Sequence, residues 1–463
     1  MKSLKSQVAG VAVASLFTVA LAACGSNNNN TASPSAASSS AASPTASASA
    51  SASASPSASA PSAEPVTLSM LVSGSKAADG ADFELDTLPK LVKEKFPNVT
   101  LEVQKLPDEQ YYTTVKSKLA TGEGPDIFLV FPNMANMGAI EVAKAGYAAD
   151  LSDLSFWNNV SKAAMNDMSY EGKPYAVAKG MDILGTYYNK DLFAKAGITE
   201  VPKDWDSFIA ASEKLKASGV TPIVMGDKDP WVIQFGMYQL AANSVYPSDP
   251  DFDKKLQTGE TQLTDAKWVK TVNQYKELYD KGYVSKNSLG MASAQAMQQF
   301  VDGKAAMIFT GTWDLPGLTA QGAASFDRGF FSLPGNDAGQ PVYASAATAA
   351  GYALNAKSKH LDVAKQIFEY LYDGQSPLFQ AWVESNPSIS VFNGVTLKND
   401  IFKDVLTEIQ STGHAFYFSN QMWPAGVSDV MQSKFAEIIG GKKTTAEDVT
   451  KAMQDKYKEL YKG

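Results

Sequence analysis

Few residues in this 463-residue chain could do chemistry, and their spacing rules most reactions out. His360 and His414 are its two histidines and stand in unlike contexts, so neither a His-x-x-x-His metal helix nor a histidine-based triad is supported. Ser73 and Lys76 match the Ser-x-x-Lys spacing of penicillin-interacting enzymes, but the Lys-Thr-Gly partner is missing. There is no Gly-x-Ser-x-Gly elbow, Walker loop or dinucleotide fingerprint. Two acids, Asp182 and Asp229, would serve a glycosidase if they flanked a sugar, and that reading stands as the alternative to plain binding. Asp249-Pro-Asp251-Phe-Asp253-Lys-Lys-Leu256-Gln-Thr-Gly-Glu260 spaces acids as a calcium loop does. Lys254 occupies the position where that loop needs glycine, and a second lysine follows, so a solvated acidic loop without metal is expected. The tryptophans divide by context. Trp205 and Trp268 fall at helical spacing and are expected in a core. Trp231, Trp313 and Trp423 follow strand-like runs or lie in loops, where an indole face can stay open to a ligand. The sequence does not place Trp157 or Trp382. No catalytic residue, cofactor or metal is expected.

The elements that must hold these residues read as parallel α/β. Thr67 to Val72 and Val99 to Leu106 suit strands, with helical patterns over Phe83 to Phe96 and Asp108 to Ala120. After the Gly122-Glu123-Gly124-Pro125 break, Asp126 to Phe131 is a continuous apolar run suited to a central strand covered on both faces. Strand-helix-strand alternation implies right-handed crossovers and an open sheet, whose ligands bind beyond the carboxyl ends of the strands. That position holds Ser73-Gly74-Ser75-Lys76 and Pro132-Asn133-Met134. Further on, Met181 to Tyr188 suits a buried strand. A short helix from Asn189 should end at Gly197, and Asp204 should cap another that turns Trp205 and Phe208 inward. Val342 to Leu354 has the small-residue run of a strand crossing between two halves.

Three motifs resemble the extracellular solute-binding proteins of the maltose-binding type, in the expected order. They are Gly-Pro-Asp-Ile-Phe at 124–128, Tyr188-Asn-Lys-Asp-Leu-Phe193 with the later Ala196-Gly197 and Pro202-x-x-Trp205, and Gly303 to Trp313 with its Gly-x-Trp. The resemblance covers nearly all of Val66 to Gly463. It implies a two-lobe fold, each lobe a mostly parallel mixed sheet flanked by helices, with a ligand cleft between. Residues 66–178 with 348–398 would form one lobe, and 179–347 with 399–463 the other. It also implies site residues: Trp231, Trp313 and Trp423 as stacking rings, and Asp229 as an acid that takes hydroxyl hydrogens. Asp182 would be a second cleft acid, and Asn133 a hydrogen-bonding partner. Ser75 and Lys76 join them by position. Hinges are expected near Lys179-Gly180, near Ser345-Ala346-Ala347, and around Thr396 to Asp400. The partners implied are a sugar or oligosaccharide and the membrane permease of an ABC importer, the chain itself being a monomer.

The N-terminus adds a place to work. Lys2 and Lys5 precede an apolar run ending Leu21-Ala22-Ala23-Cys24, a secretion signal too short to span a membrane. The box resembles the lipobox of bacterial lipoproteins, which implies that Cys24 carries the lipid and tethers the chain to a bilayer. Cys24 is the single cysteine, so no internal disulfide can form. Residues 24–65 are rich in Ser, Ala and Pro and have little apolar surface to bury; they are expected to be a disordered tether spanning on the order of 35 Å. A net charge of −8 opposes nucleic-acid binding. Arg328 is the only arginine. Without the bidentate forks that usually grip carboxylate and phosphate, the ligand is expected to be neutral.

Overall fold

The computed structural model describes residues 64–74, 82–132, 134, 137–319, 325–386, 388–395, 400–416, 423–424 and 426–461. In chain order the strands are β1 (Val66–Ser73), β2 (Val99–Leu106), β3 (Ile127–Val130), β4 (Ser169–Tyr170), β5 (Lys173–Pro174), β6 (Ala176–Ala178), β7 (Met181–Asn189), β8 (Thr221–Val224), β9 (Ala305–Gly311), β10 (Arg328–Phe331), β11 (Ser345–Thr348) and β12 (Gly351–Leu354).

They build two main sheets. The first has the order β2-β1-β3-β12-β6, and the second β10-β7-β9-β8 with β11 also on β7. In the first, β1 runs parallel to both β2 and β3, while β12 is antiparallel to β3 and β6. All four residues of β3 are buried, as a central strand with helices on both faces requires. In the second sheet, β7 is antiparallel to β9 and β9 parallel to β8. Each sheet has its own apolar core. Residues from Leu68 to Ala178 and from Tyr352 to Phe392 form one cluster, and those from Ile183 to Phe331 with Ala344, Ala346 and Phe402 to Tyr457 form the others. The fold is a two-lobed mixed α/β architecture.

Local signals act as their chemistry requires. Asp204 accepts the Ser207 N–H at 2.8 Å and caps the helix Trp205–Ala217, which buries Phe208. Asn189 caps Lys190–Lys195 in the same way, and Gly197 at φ +71° ends that turn in the left-handed region.

The chain passes from the first sheet to the second between β6 and β7, and back between β11 and β12. Val342 to Leu354 therefore holds two strands on different sheets rather than one crossing strand; its alanine-rich run carries no periodicity that would mark the break in the sequence. Ser345-Ala346-Ala347 lie within β11, paired to β7, and the passage follows them at Ala349-Ala350. A third segment lies alongside: the Met181 N–H donates to the Ile389 carbonyl at 2.7 Å, with the reverse bond at 2.9 Å. Ala349 N–H donates to the Gly180 carbonyl at 2.8 Å, which ties two passages together. A Cβ on Gly180 would stand 2.7 Å from the Ile389 carbonyl oxygen, so only glycine admits this approach. Of the third expected hinge, residues 396–399 lie outside the described residues.

Candidate functional site

One wall of the site is built on the second lobe. After β8 the chain turns through Gly226 to Asp229, and Pro230 begins the helix Pro230–Ser244. Proline suits that first position because its missing N–H is one the helix leaves unpaired. Asp229 stands at the N-cap, but its carboxylate reaches outward: Oδ2 accepts the Ser293 N–H at 2.7 Å. Trp231 follows, half-buried, with its ring 5.5 Å from that of Phe235 one turn along.

The second contribution comes from the end of β9. Gly311 has no Cβ because the ring of Trp313 lies over it; a Cβ there would fall 2.0 Å from Cζ3. Trp313 is half-buried, and its ring centroid is 5.5 Å from that of Phe235. The buried Phe235 thus backs two half-exposed indoles, making a wall Trp231–Phe235–Trp313. Flat ring faces beside carboxylates suit a ligand with an apolar C–H face and hydroxyls.

Asp182 adjoins this wall from β7. Its Oδ1 accepts the Thr312 hydroxyl at 2.8 Å and the Ser388 hydroxyl at 2.6 Å. Burial pushes this carboxyl above the usual range, against the two hydroxyls and Lys179, which favour its charged form. Thr312 also receives the Ile183 N–H at 3.3 Å, so one buried hydroxyl fixes Asp182 beside Trp313. The structure therefore brings together Asp182, Trp313, Trp231 and Asp229.

Trp423 does not join them. It is 6% exposed in the second lobe's core, 5.3 Å from the ring of Trp268 and 6.2 Å from that of Tyr238. Its indole N–H donates to Asp253 Oδ1 at 3.3 Å. A loop context suggested an open ring, but tertiary packing covers both faces. The acid it meets corrects a second expectation. Residues Phe252–Thr258 are a helix, not a solvated loop, and Asp253 points into the core, where it also accepts the Tyr246 hydroxyl at 3.0 Å. Asp249 and Asp251 pair with Lys255 and Lys254 at 2.7 and 2.8 Å. Among the described residues no group of three metal-ligating side chains converges. Trp268 and Trp382 are core, Trp205 donates to Glu277 at 3.1 Å, and Trp157 to the Leu151 carbonyl at 2.7 Å.

Ser75, Lys76 and Asn133 lie outside the described residues. At the carboxyl end of the first sheet there stands a charge network that sequence reasoning missed. Glu84 accepts Lys179 Nζ and the Tyr352 hydroxyl on Oε1, both at 2.8 Å, and Lys105 on Oε2 at 3.1 Å. Asp82 holds the same Lys105 at 2.6 Å. Burial alone would raise Glu84; the two lysines outweigh it and hold the carboxyl far below its usual range. Since Lys179 adjoins Gly180, this network grips the chain where it leaves the first sheet.

Comparison with known proteins follows the same lines. The family model described as bacterial extracellular solute-binding protein matches residues 84–373. The multiple sugar-binding protein of Streptococcus mutans is 27% identical over 347 residues, covering 73% of this chain and 80% of that protein. The diacetylchitobiose binding protein DasA of Streptomyces coelicolor is 25% identical over 313 residues, covering 65% and 68%. Among solved structures, a chitin oligosaccharide binding protein superposes with a TM-score of 0.74 at 24% identity, covering 86% of this chain and all (100%) of that one. RafE in complex with raffinose gives 0.71 at 20% identity, covering 86% and 100%. At these identities the structural likeness speaks to the fold.

Proposed function

Because this chain belongs to the bacterial extracellular solute-binding protein family, we propose that it is the substrate-binding subunit of an ABC importer for a neutral sugar or oligosaccharide. The observation that carries this reading is the wall Trp231–Phe235–Trp313, flanked by Asp229 and Asp182 and set beside the segments that join the two lobes. Rings would stack on pyranose faces while the acids take hydroxyl hydrogens. Asn133, Ser75 and Lys76 are the contacts proposed from the first lobe. Trp423 is withdrawn from the surface and assigned to the core. Relatives named for sugars, and a chain with a single arginine, support a neutral ligand. Their names are those of binding proteins, which favours capture over hydrolysis.

Lobe boundaries at 66–178 with 348–398, and 179–347 with 399–463, are supported by which strands share a sheet, save that Thr348 ends β11 on the second sheet. Closure of one lobe on the other would let a sugar touch both, and its preference for the closed state would shift the equilibrium by that difference. Residues 1–23 as a signal, Cys24 as lipid anchor and 24–65 as tether would hold the domain at the outer face of a cell membrane near its permease. Calorimetry against sugars, amino acids, phosphate esters and metal ions tests the ligand class. A sugar should bind best, and Trp231→Ala and Trp313→Ala should each weaken it about tenfold. An amino acid or an ester as best ligand overturns the reading.

A further inference from the structure

The acid near the start of β7 is held from outside its own sheet. Trp382, Val391 and Phe392 belong to the apolar core of the first sheet. Between them in sequence, Ser388 and Ile389 reach the second. Ile389 packs against the cluster that holds Ile183 and Tyr187, and it exchanges two backbone hydrogen bonds with Met181. Asn386 fixes this segment: its Nδ2 donates to the Lys179 carbonyl at 2.5 Å, and its Oδ1 accepts the Ser388 N–H at 3.2 Å. Gly180 leaves the room, since a Cβ there would lie 2.6 Å from Ser388 Cβ. Ser388 is 7% exposed, and its hydroxyl donates to Asp182 Oδ1 at 2.6 Å.

The backbone of Asp182 is fixed independently. Ala178 pairs with Gly351 and Met181 with Thr348. In between, the Lys179 N–H donates to the Ala350 carbonyl and the Ala349 N–H to the Gly180 carbonyl, both at 2.8 Å. β6 and β7 thus run with β12 and β11 as one antiparallel ribbon of unbroken register. Across that ribbon Asp182 faces Ala347, whose methyl group cannot hold a carboxylate. Lys179 gives its ammonium to Glu84. The last torsion of an aspartate is broad and roughly two-fold, so the ladder alone leaves the carboxylate free to turn. What stops it acts on Oδ1, which takes the Thr312 hydroxyl from the end of β9 at 2.8 Å and the Ser388 hydroxyl from the first lobe. Asp182 is half-buried, and its Oδ2 accepts from no described residue. Two donors on one oxygen therefore aim the other.

We propose that Ser388 is a positioning residue of the binding site: from the first lobe it orients Asp182 of the second, so that Oδ2 meets a hydroxyl of the ligand. This deepens the proposed function and rests on Asp182 meeting the ligand. Thr312 alone, a single donor on a group that can rotate, does not fix the plane of the carboxylate.

The test is a double-mutant cycle read by calorimetry, with raffinose and diacetylchitobiose as probes. Ser388→Ala should weaken binding about tenfold. In an Asp182→Ala background the same change should matter by less than about twofold, since the group it positions is gone. A Ser388 effect of equal size in both backgrounds marks a structural role and overturns the proposal, as does an unchanged Kd in Ser388→Ala. Ser388→Cys, whose thiol is a weak donor, should fall between serine and alanine, and it decides if the alanine variant does not fold. Crystals of the ligand-free Ser388→Ala protein read the geometry directly. The Asp182 carboxylate should turn from its position or occupy two orientations, and a single unaltered orientation overturns the proposal. Failure of any sugar to bind removes the proposed function, and the ligand-free carboxylate still decides the positioning.

Discussion

Gly311→Ala isolates the reason for glycine in the Gly-x-Trp turn. The backbone there, φ −108° and ψ −179°, is extended and open to any residue, so alanine brings no conformational strain. What it brings is a methyl group 2.0 Å from Cζ3 and 2.2 Å from Cη2 of Trp313, well inside contact distance. The ring must leave. Overpacking of this kind costs about 1–3 kcal/mol of stability. Loss of the stacking face should take a further ~0.5–1.5 kcal/mol from sugar binding, up to about tenfold in Kd. Urea unfolding and calorimetry measure the two separately. The decisive comparison is a double-mutant cycle with Trp313→Ala, which removes the ring that clashes. In that background Gly311→Ala should cost less than about 0.5 kcal/mol. If it costs as much as in the unaltered chain, glycine is there for another reason and the placement of Trp313 is wrong.

Three more outcomes follow from the same contacts. Trp423→Ala should lower stability by about 3–5 kcal/mol in urea unfolding, because it empties core and takes one donor from Asp253, whereas the half-exposed Trp231→Ala should cost far less. Glu84→Gln should destabilise the chain by about 3 kcal/mol at pH 7, since it leaves Lys179 without a carboxylate in a buried setting. Glu84 is held below its ordinary value, so its contribution is present above about pH 4.5 and fades as pH falls; the variant should show a weaker loss on acidification. Asp227 has the opposite sign: with a folded value of about 6 against ~3.9 unfolded, its contribution is full below about pH 4 and lost as pH rises through 6. That is roughly 3 kcal/mol, which thermal unfolding should show vanishing in Asp227→Asn.

What the sequence made legible was whatever depends on neighbours in the chain. The apolar run at Ile127–Val130, the cap at Asp204, the stop at Gly197 and the proline that starts the helix after Asp229 all act within a few residues. The Trp231 and Trp313 pair was legible too, because each follows directly on a buried strand or its loop. What failed depends on distance. Glu84 and Lys179 are 95 positions apart, and no periodicity links them. Trp423 meets Asp253 across 170 positions, so a loop tryptophan and an acid in a calcium-like spacing each looked free when they satisfy one another. The alanines near 345–350 carry too little side chain to say which sheet a strand joins. That is settled by their partners on β7 and β3.

The buried acids share a logic that follows from having one arginine. Without guanidinium forks, this chain fastens distant segments with carboxylates that accept from lysines, hydroxyls and backbone N–H groups. Glu84 holds the exit from the first lobe, Asp253 a core tryptophan, and Asp182 the junction of β7, Thr312 and Ser388. The same commitment bears on the choice between binding and hydrolysis. A glycosidase acid must carry a proton on an oxygen aimed at a leaving group, while its partner attacks or activates water. Asp182 Oδ1 is already taken by two hydroxyl donors, and Asp229 Oδ2 by a backbone N–H. Each acid is anchored through one oxygen in its role as acceptor. The other oxygen of Asp182 receives no hydrogen bond from the described residues. An acceptor fixed at one oxygen and unpaired at the other suits a sugar hydroxyl, which donates a hydrogen bond while keeping its own proton and carries it away when the ligand leaves.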